Sequence, residues 1–136
     1  MSWVRRMRPS PREQSGTAAV EFALVLPLVL TIALALVQVG LLVRDRLLVE
    51  SAARAGARAA AIQADPGAVN DAVVGSVDGL DRSGITVSIA RSGTQGDPVT
   101  VTVRYVSVVR VPLVSWLFGG SVSMESDATD RQEFSS

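Results

Sequence analysis

The chain contains no cysteine, no histidine and no lysine. Without cysteine there is no disulfide, no thiolate metal site and no thiol nucleophile. Without histidine the usual imidazole base and metal ligand are missing as well. Most catalytic constellations are thereby excluded, although chemistry run by carboxylates alone is not. No glycine-rich phosphate loop follows a strand pattern, and no carboxylates recur at metal-ligand spacing. Asp78 and Asp81 lie close together near a turn, where two acids are most simply read as solvated. We therefore expect no catalytic residue, no metal and no cofactor, and read the chain as a non-enzyme. The 13 basic residues, all arginine, are balanced by 13 acidic ones. Net charge thus gives no indication of nucleic-acid binding, and no nucleic-acid partner is expected.

What the sequence does have is one long apolar run. From Phe22 to Val43 no residue carries a formal charge, and only Thr31 and Gln38 have polar side chains. Roughly 20 mostly apolar residues, each rising 1.5 Å, cross a hydrocarbon core of about 30 Å. A helix apolar on every face suits lipid better than the surface of a small soluble domain. The run predicts a single transmembrane helix over about 22–43, and so a lipid bilayer as one partner.

Two residues ahead of it are not explained by spanning alone. Glu21 sits at the edge of the run, where an ionised carboxylate is expensive without a partner. Gly16 precedes it by five positions, just after a leader bearing Arg5, Arg6, Arg8 and Arg12. Taken singly, Glu21 is more simply read as a headgroup-facing acid that favours the helix dipole, and Gly16 as a loop residue. In this order, followed by Phe22 and Pro27, they have the layout of a prepilin cleavage site. The segment from Ser15 to Ala60 resembles the TadE-like family, the minor pilins or pseudopilins of the tight-adherence (Flp) type IV pilus. The resemblance rests on the VEFALVLP block at Val20–Pro27 and on AARAGARAA at Ala52–Ala60.

The remaining chain reads as follows. Pro9 and Pro11 argue against helix in the leader, which is expected to be flexible. Past Val43, an alanine-rich, proline-free stretch predicts that helix continues unbroken from about Thr17 to Gln63. Arg46, Glu50, Arg54 and Arg58 recur every four residues as a charged stripe, with Glu50 placed to pair with Arg54. Leu48, Ala52, Ala55, Ala59 and Ile62 form an opposite small-residue face, suited either to the chain's own head domain or to close approach of neighbouring rods. Pro27 is expected to bend the helix locally. Asp65-Pro66 is a cap followed by proline at the first helical position, opening a short helix over 66–78. From Ile85 the period becomes two, giving strands at 85–90 and 99–105 joined by the loop Ser92–Pro98. Valines at 106, 108, 109 and 111 break that parity, which predicts a bulge or bend near Tyr105–Val109. Leu113–Phe118 forms an apolar link, read first as a cap on the sheet's core and otherwise as a patch facing membrane or a neighbour. Val122, Met124 and Ala128 supply a third strand, and Asp127–Ser136 is expected to fray.

The expected fold is therefore α+β: a long N-terminal transmembrane helix continuing into a small pilin-like head, with one short helix and a roughly three-stranded antiparallel sheet. Its segments are a leader over 1–16, the long helix over 17–63, an extracytoplasmic head over 64–130 and a flexible tail over 131–136. The resemblance implies a structural subunit processed between Gly16 and Thr17, with Glu21, Phe22 and Pro27 serving subunit assembly. The implied partners are prepilin peptidase, the major Flp pilin, other minor pilins and the inner-membrane pilus assembly machinery. It also implies a single pass through the cytoplasmic membrane with the N-terminus inside, and a place at the cell surface or in the pilus after assembly. Arginine counts do not decide orientation, because Arg44, Arg46, Arg54 and Arg58 match the leader's four. Two rival readings stay open. One is a membrane-anchored accessory protein that never enters a filament. The other is a secreted binding domain cut at an Ala33-Leu34-Ala35 signal-peptidase site.

Overall fold

The computed structural model describes residues 11–109 and 119–134, with side chains from residue 16 onward. A 52-residue helix, α1 (Pro11–Ile62), dominates it. At 1.5 Å per residue this is a rod of about 78 Å. It starts six residues before the expected Thr17, so the proline at 11 opens the helix rather than excluding it. Proline is suited to the first helical position, where its missing N–H would have had no partner and its fixed φ is already helical. Pro27 lies inside the helix, and four residues on the Thr31 hydroxyl donates to the Pro27 carbonyl at 2.7 Å.

The two halves of α1 have different surroundings. Every residue from Gly16 to Leu30 is exposed, with Leu24 at 74 % and Phe22 at 67 %. Farther on, Val49, Ala52, Ala53, Ala57, Ala60 and Ala61 are buried in the core of the head. Of the two uses foreseen for the small-residue face, packing on the chain's own head is the one found for Ala52. Ala55 and Ala59 are half-buried beside it, and Ile62 is exposed.

The head is one short helix and one sheet. Helix α2 (Pro66–Gly75) is capped by Asp65, whose Oδ1 accepts from the Gly67 N–H at 2.9 Å. It ends three residues short of the expected 78 because Ser76 turns back, its N–H bonding to Val73 O and its hydroxyl to Ala72 O. Val77 and Leu80 are buried all the same. Gly79 adopts φ +88°, and the Arg44 guanidinium lies 2.7 Å from where a Cβ would stand. Strands β1 (Ile85–Arg91), β2 (Pro98–Val108) and β3 (Ser121–Arg131) form an antiparallel sheet in the order β1-β2-β3. Val99, Val101, Val103 and Tyr105 of β2 point at α1 and are at most 1 % exposed. The fold is the α+β arrangement expected from the sequence.

Three local expectations are corrected. First, β2 contains no bulge: its pairing with β3 runs without interruption to Val108↔Ser121. Parity is kept because Ser107 takes the inward position, while Val106 and Val108 point outward at 44 % and 62 % exposure. Second, the chain does not fray from Asp127. β3 extends to Arg131, and beyond it Gln132 is 1 % exposed, with its N–H bonded to Asp97 O at 2.9 Å. Third, the tail expected to be flexible from 131 closes the end of α1. The Glu133 N–H donates to Ala61 O at 2.8 Å, and Arg91 donates to Ala60 O and Gln63 O. Those carbonyls have no partner within the helix, so the tail and Arg91 act as its cap. The apolar link Leu113–Phe118 lies outside the described residues.

Candidate membrane and assembly site

By length and composition, α1 is able to cross a membrane, and among the described residues of its apolar run only Gln38 is buried within the chain. Gly16, Thr17, Glu21, Phe22 and Pro27 all lie on this exposed stretch. The structure gathers them on one helix, and among the described residues it brings no other element of the head to them. Thr17 and Glu21 are four residues apart and so share a face. Among the described residues, nothing lies within 4 Å of a Cβ built on Gly16. Among the described residues, Glu21 has no ion-pair partner.

Where α1 leaves the apolar run, its surroundings become polar. The Arg44 Nη2 reaches Asp78 O at 3.5 Å. One residue on, Asp45 is only 8 % exposed, and its Oδ2 accepts from the Ser107 hydroxyl of β2 at 2.8 Å. Gln38, two turns earlier, is 1 % exposed, and its Oε1 has no hydrogen-bond partner. Gln38, Asp45 and Ser107 line one small cavity together with Leu41, Arg44 and Val108. Sequence reasoning passed over this cluster. Its one visible signal was Gln38, a polar side chain inside the apolar run.

The charged stripe is present and solvent-facing. Glu50 Oε1 lies 3.6 Å from Arg46 Nε, and its Oε2 lies 3.9 Å from Arg54 Nη2. Such exposed pairs stabilise little, about 0.3–0.5 kcal/mol each. Arg54 and Arg58 also line an open groove between α1 and Ala128–Asp130 of β3. Among the described residues, no group of three or more acidic side chains is placed to hold a metal ion.

Comparison with known proteins gives one match. Residues 16–58 match the family model described as TadE-like protein. No curated protein and no solved structure matches the chain. The matched segment contains Gly16, Thr17, Glu21, Phe22 and Pro27, together with the alanines that pack into the head.

Proposed function

Starting from a TadE-like segment built into a helix that continues into a small head, we propose that this protein is a non-enzymatic minor pilin or pseudopilin. It supports assembly of a tight-adherence (Flp) type IV pilus. The observation that carries this reading is the division of α1. Its first half is apolar and exposed on every face, and its second half is the central element of the head. A rod of this kind anchors the head to the bilayer and offers the same apolar surface to neighbouring rods.

In this reading residues 1–16 are a cytoplasmic leader removed by prepilin peptidase, which leaves Thr17 as the N-terminus. The chain passes once through the cytoplasmic membrane and carries its head outside. Glu21, Phe22 and Pro27 then lie on the surface available to the major Flp pilin, other minor pilins and the inner-membrane assembly machinery. A secreted domain cut after Ala35 is disfavoured, because helix runs without a break through Ala33–Ala35 into the head. It would also leave the apolar residues 36–43 at a free terminus.

Intact-protein mass spectrometry of the membrane-extracted protein tests this. The mature chain is expected to lack residues 1–16 in cells with prepilin peptidase and to keep them in cells without it. Gly16→Leu is expected to block the cut. A mature chain beginning near Leu36 overturns the pilin reading.

A further inference from the structure

Among the described residues, the sheet has no strand partner along its β3 edge. β3 pairs with β2 alone, and does so without a break from Ser121 to Arg131. Alternate residues of a strand turn their N–H and C=O to opposite sides, so about half of β3 presents backbone donors and acceptors away from β2. Sheet edges are ordinarily blunted by proline, lysine, a bulge or shortness, and β3 shows none of these. Beside this edge runs the open groove, of about 490 Å³, lined by Ser51, Arg54, Ala55 and Arg58 of α1 and by Ala128 and Asp130 of β3. It is far larger than the ~30 Å³ that one water occupies. Its lining sets two arginines against one acid. The Arg54 side chain is 69 % exposed and reaches Glu50 only at 3.9 Å. Among the described residues, Arg58 has no ion-pair partner.

Residues 110–118 do not reach this groove. They start and end at one point, because the Val109 N–H donates to Gly120 O at 2.9 Å. Doubled back, a segment of that length spans at most about 17 Å, whereas Ala128 lies about 27 Å along β3 from Gly120. Residues 1–10 precede Pro11, about 60 Å of helix before Ser51, and fully extended they cover about 36 Å. Residues 135–136 follow Phe134, which lies over Arg91 of β1 at the opposite edge of the sheet. We infer that the β3 edge and its groove bind an extended segment of a different polypeptide. That segment adds a fourth strand beside β3 and carries acidic side chains at alternate positions. Strand addition pairs the open edge, and the alternate side chains give the choice of partner. The spacing of the arginines fits a strand. α1 follows the sheet lengthwise, meeting β2 at Asp45–Ser107 and again at Gly56–Val101. Arg54 and Arg58 are about 6 Å apart along the helix axis, and alternate strand residues are about 6.7 Å apart. Two acids on the side of the added strand toward α1 thus meet two guanidiniums. Antiparallel pairing with β3 of a second copy would point the two α1 rods in opposite directions, which anchoring in one membrane does not allow. The inference does not depend on any role in a pilus.

The test uses the full-length protein in detergent micelles and a fluorescein-labelled peptide, Thr-Val-Thr-Glu-Thr-Glu-Thr-Val-Thr, whose glutamates share one face of a strand. Binding is read by fluorescence anisotropy up to millimolar concentration. The peptide is expected to bind, and its counterpart with lysine in place of glutamate is not. Amide hydrogen exchange followed by NMR reports the pairing itself. Alternate amides of β3, those facing away from β2, are expected to exchange more slowly when the peptide is bound. The double variant Arg54→Gln/Arg58→Gln is expected to bind about three- to fivefold more weakly, the effect of losing two solvent-exposed ion pairs. Far-ultraviolet circular dichroism checks that it folds like the parent, and should it not fold, the lysine peptide and the exchange pattern decide. Arg46→Gln, on the same stripe but outside the groove, is expected to leave the affinity unchanged. Absence of binding overturns the inference, as does equal binding of the lysine peptide. Binding without the alternate slowing in β3 overturns it too, as does a folded double variant with undiminished affinity. A dimer in sedimentation that blocks the peptide assigns the edge to a second copy and also overturns it.

Discussion

Gly56 marks a close approach of α1 to the head, and replacing it with alanine sets two known effects against each other. A Cβ at this position would lie 2.7 Å from Val73 Cγ2 and 2.9 Å from Val101 Cγ1. Both valines are 0 % exposed, and β-branched side chains have little rotameric freedom with which to yield. On helix propensity alone, Gly→Ala gains about 0.8–1.0 kcal/mol. Overpacking a filled core costs about 1–3 kcal/mol. Contacts below 3 Å on two sides place this site in the upper part of that range, so the net loss is about 1–2 kcal/mol. For a head of this size it corresponds to a fall in Tm of about 4–15 °C. The assay is thermal unfolding in detergent followed by near-ultraviolet circular dichroism of Tyr105, the single tyrosine. Gly75→Ala in α2, where nothing lies within 4 Å, is the control and is expected to be neutral or stabilising. In a Val101→Ala background the Gly56→Ala penalty is expected to shrink or change sign, because the two sites are in contact and therefore not additive. A Gly56→Ala protein as stable as the parent refutes the reasoning, as does a penalty that Val101→Ala leaves unchanged.

Two further outcomes concern membrane topology and assembly. Since the chain has no cysteine, Ser92→Cys in the exposed loop between β1 and β2 is a single reporter, and a membrane-impermeant thiol reagent is expected to label it in intact spheroplasts. Labelling only after lysis would place the head in the cytoplasm. Glu21→Ala is expected to insert and be cleaved normally but to co-purify poorly with the major pilin. In the proposed pilin reading, Glu21 of one subunit would neutralise the new Thr17 ammonium of its neighbour. Removing one partner of a fully buried pair costs about 3–5 kcal/mol, a loss on the order of a hundredfold or more in association. Undiminished co-purification would show that Glu21 merely faces headgroups.

The features legible in the sequence are those whose cause is local. The apolar run, the Asp65-Pro66 cap and the alternation at Ile85–Ile89 and Val99–Tyr105 each follow from neighbouring residues, and each appears where it was expected. The features that were missed depend on distant partners. Ser107 sits on the buried parity of β2 because Asp45 meets it from 62 residues away, so the valines around it gave a false sign of a bulge. Arg131 to Glu133 read as a polar tail because nothing nearby announces that the end of α1 needs donors. The candidate site divides in the same way. Gly16, Thr17, Glu21, Phe22 and Pro27 were named from a linear motif, and the structure leaves them together on one exposed helix. The Gln38 cavity was invisible because its walls come from two elements. Of the two polar side chains in the apolar run, Thr31 finds its acceptor four residues back, whereas Gln38 finds none on its own helix.

The closure of the end of α1 by Arg91 and Glu133 also bears on the order in which the protein is made. The alanine face of α1 is synthesised well before the strands that cover it. Its carbonyl at Ala60 waits for Arg91, 31 residues later, and the one at Ala61 waits for Glu133. Contacts of such sequence separation form late, because loop closure must precede them. The head therefore completes as a single closing event, once β3 has emerged and joined β2. A chain interrupted before β3 keeps its membrane anchor but presents an uncovered alanine face and an open strand edge. Quality-control proteases recognise exposed surface of this kind, so incomplete chains are expected to be degraded before they accumulate in the membrane.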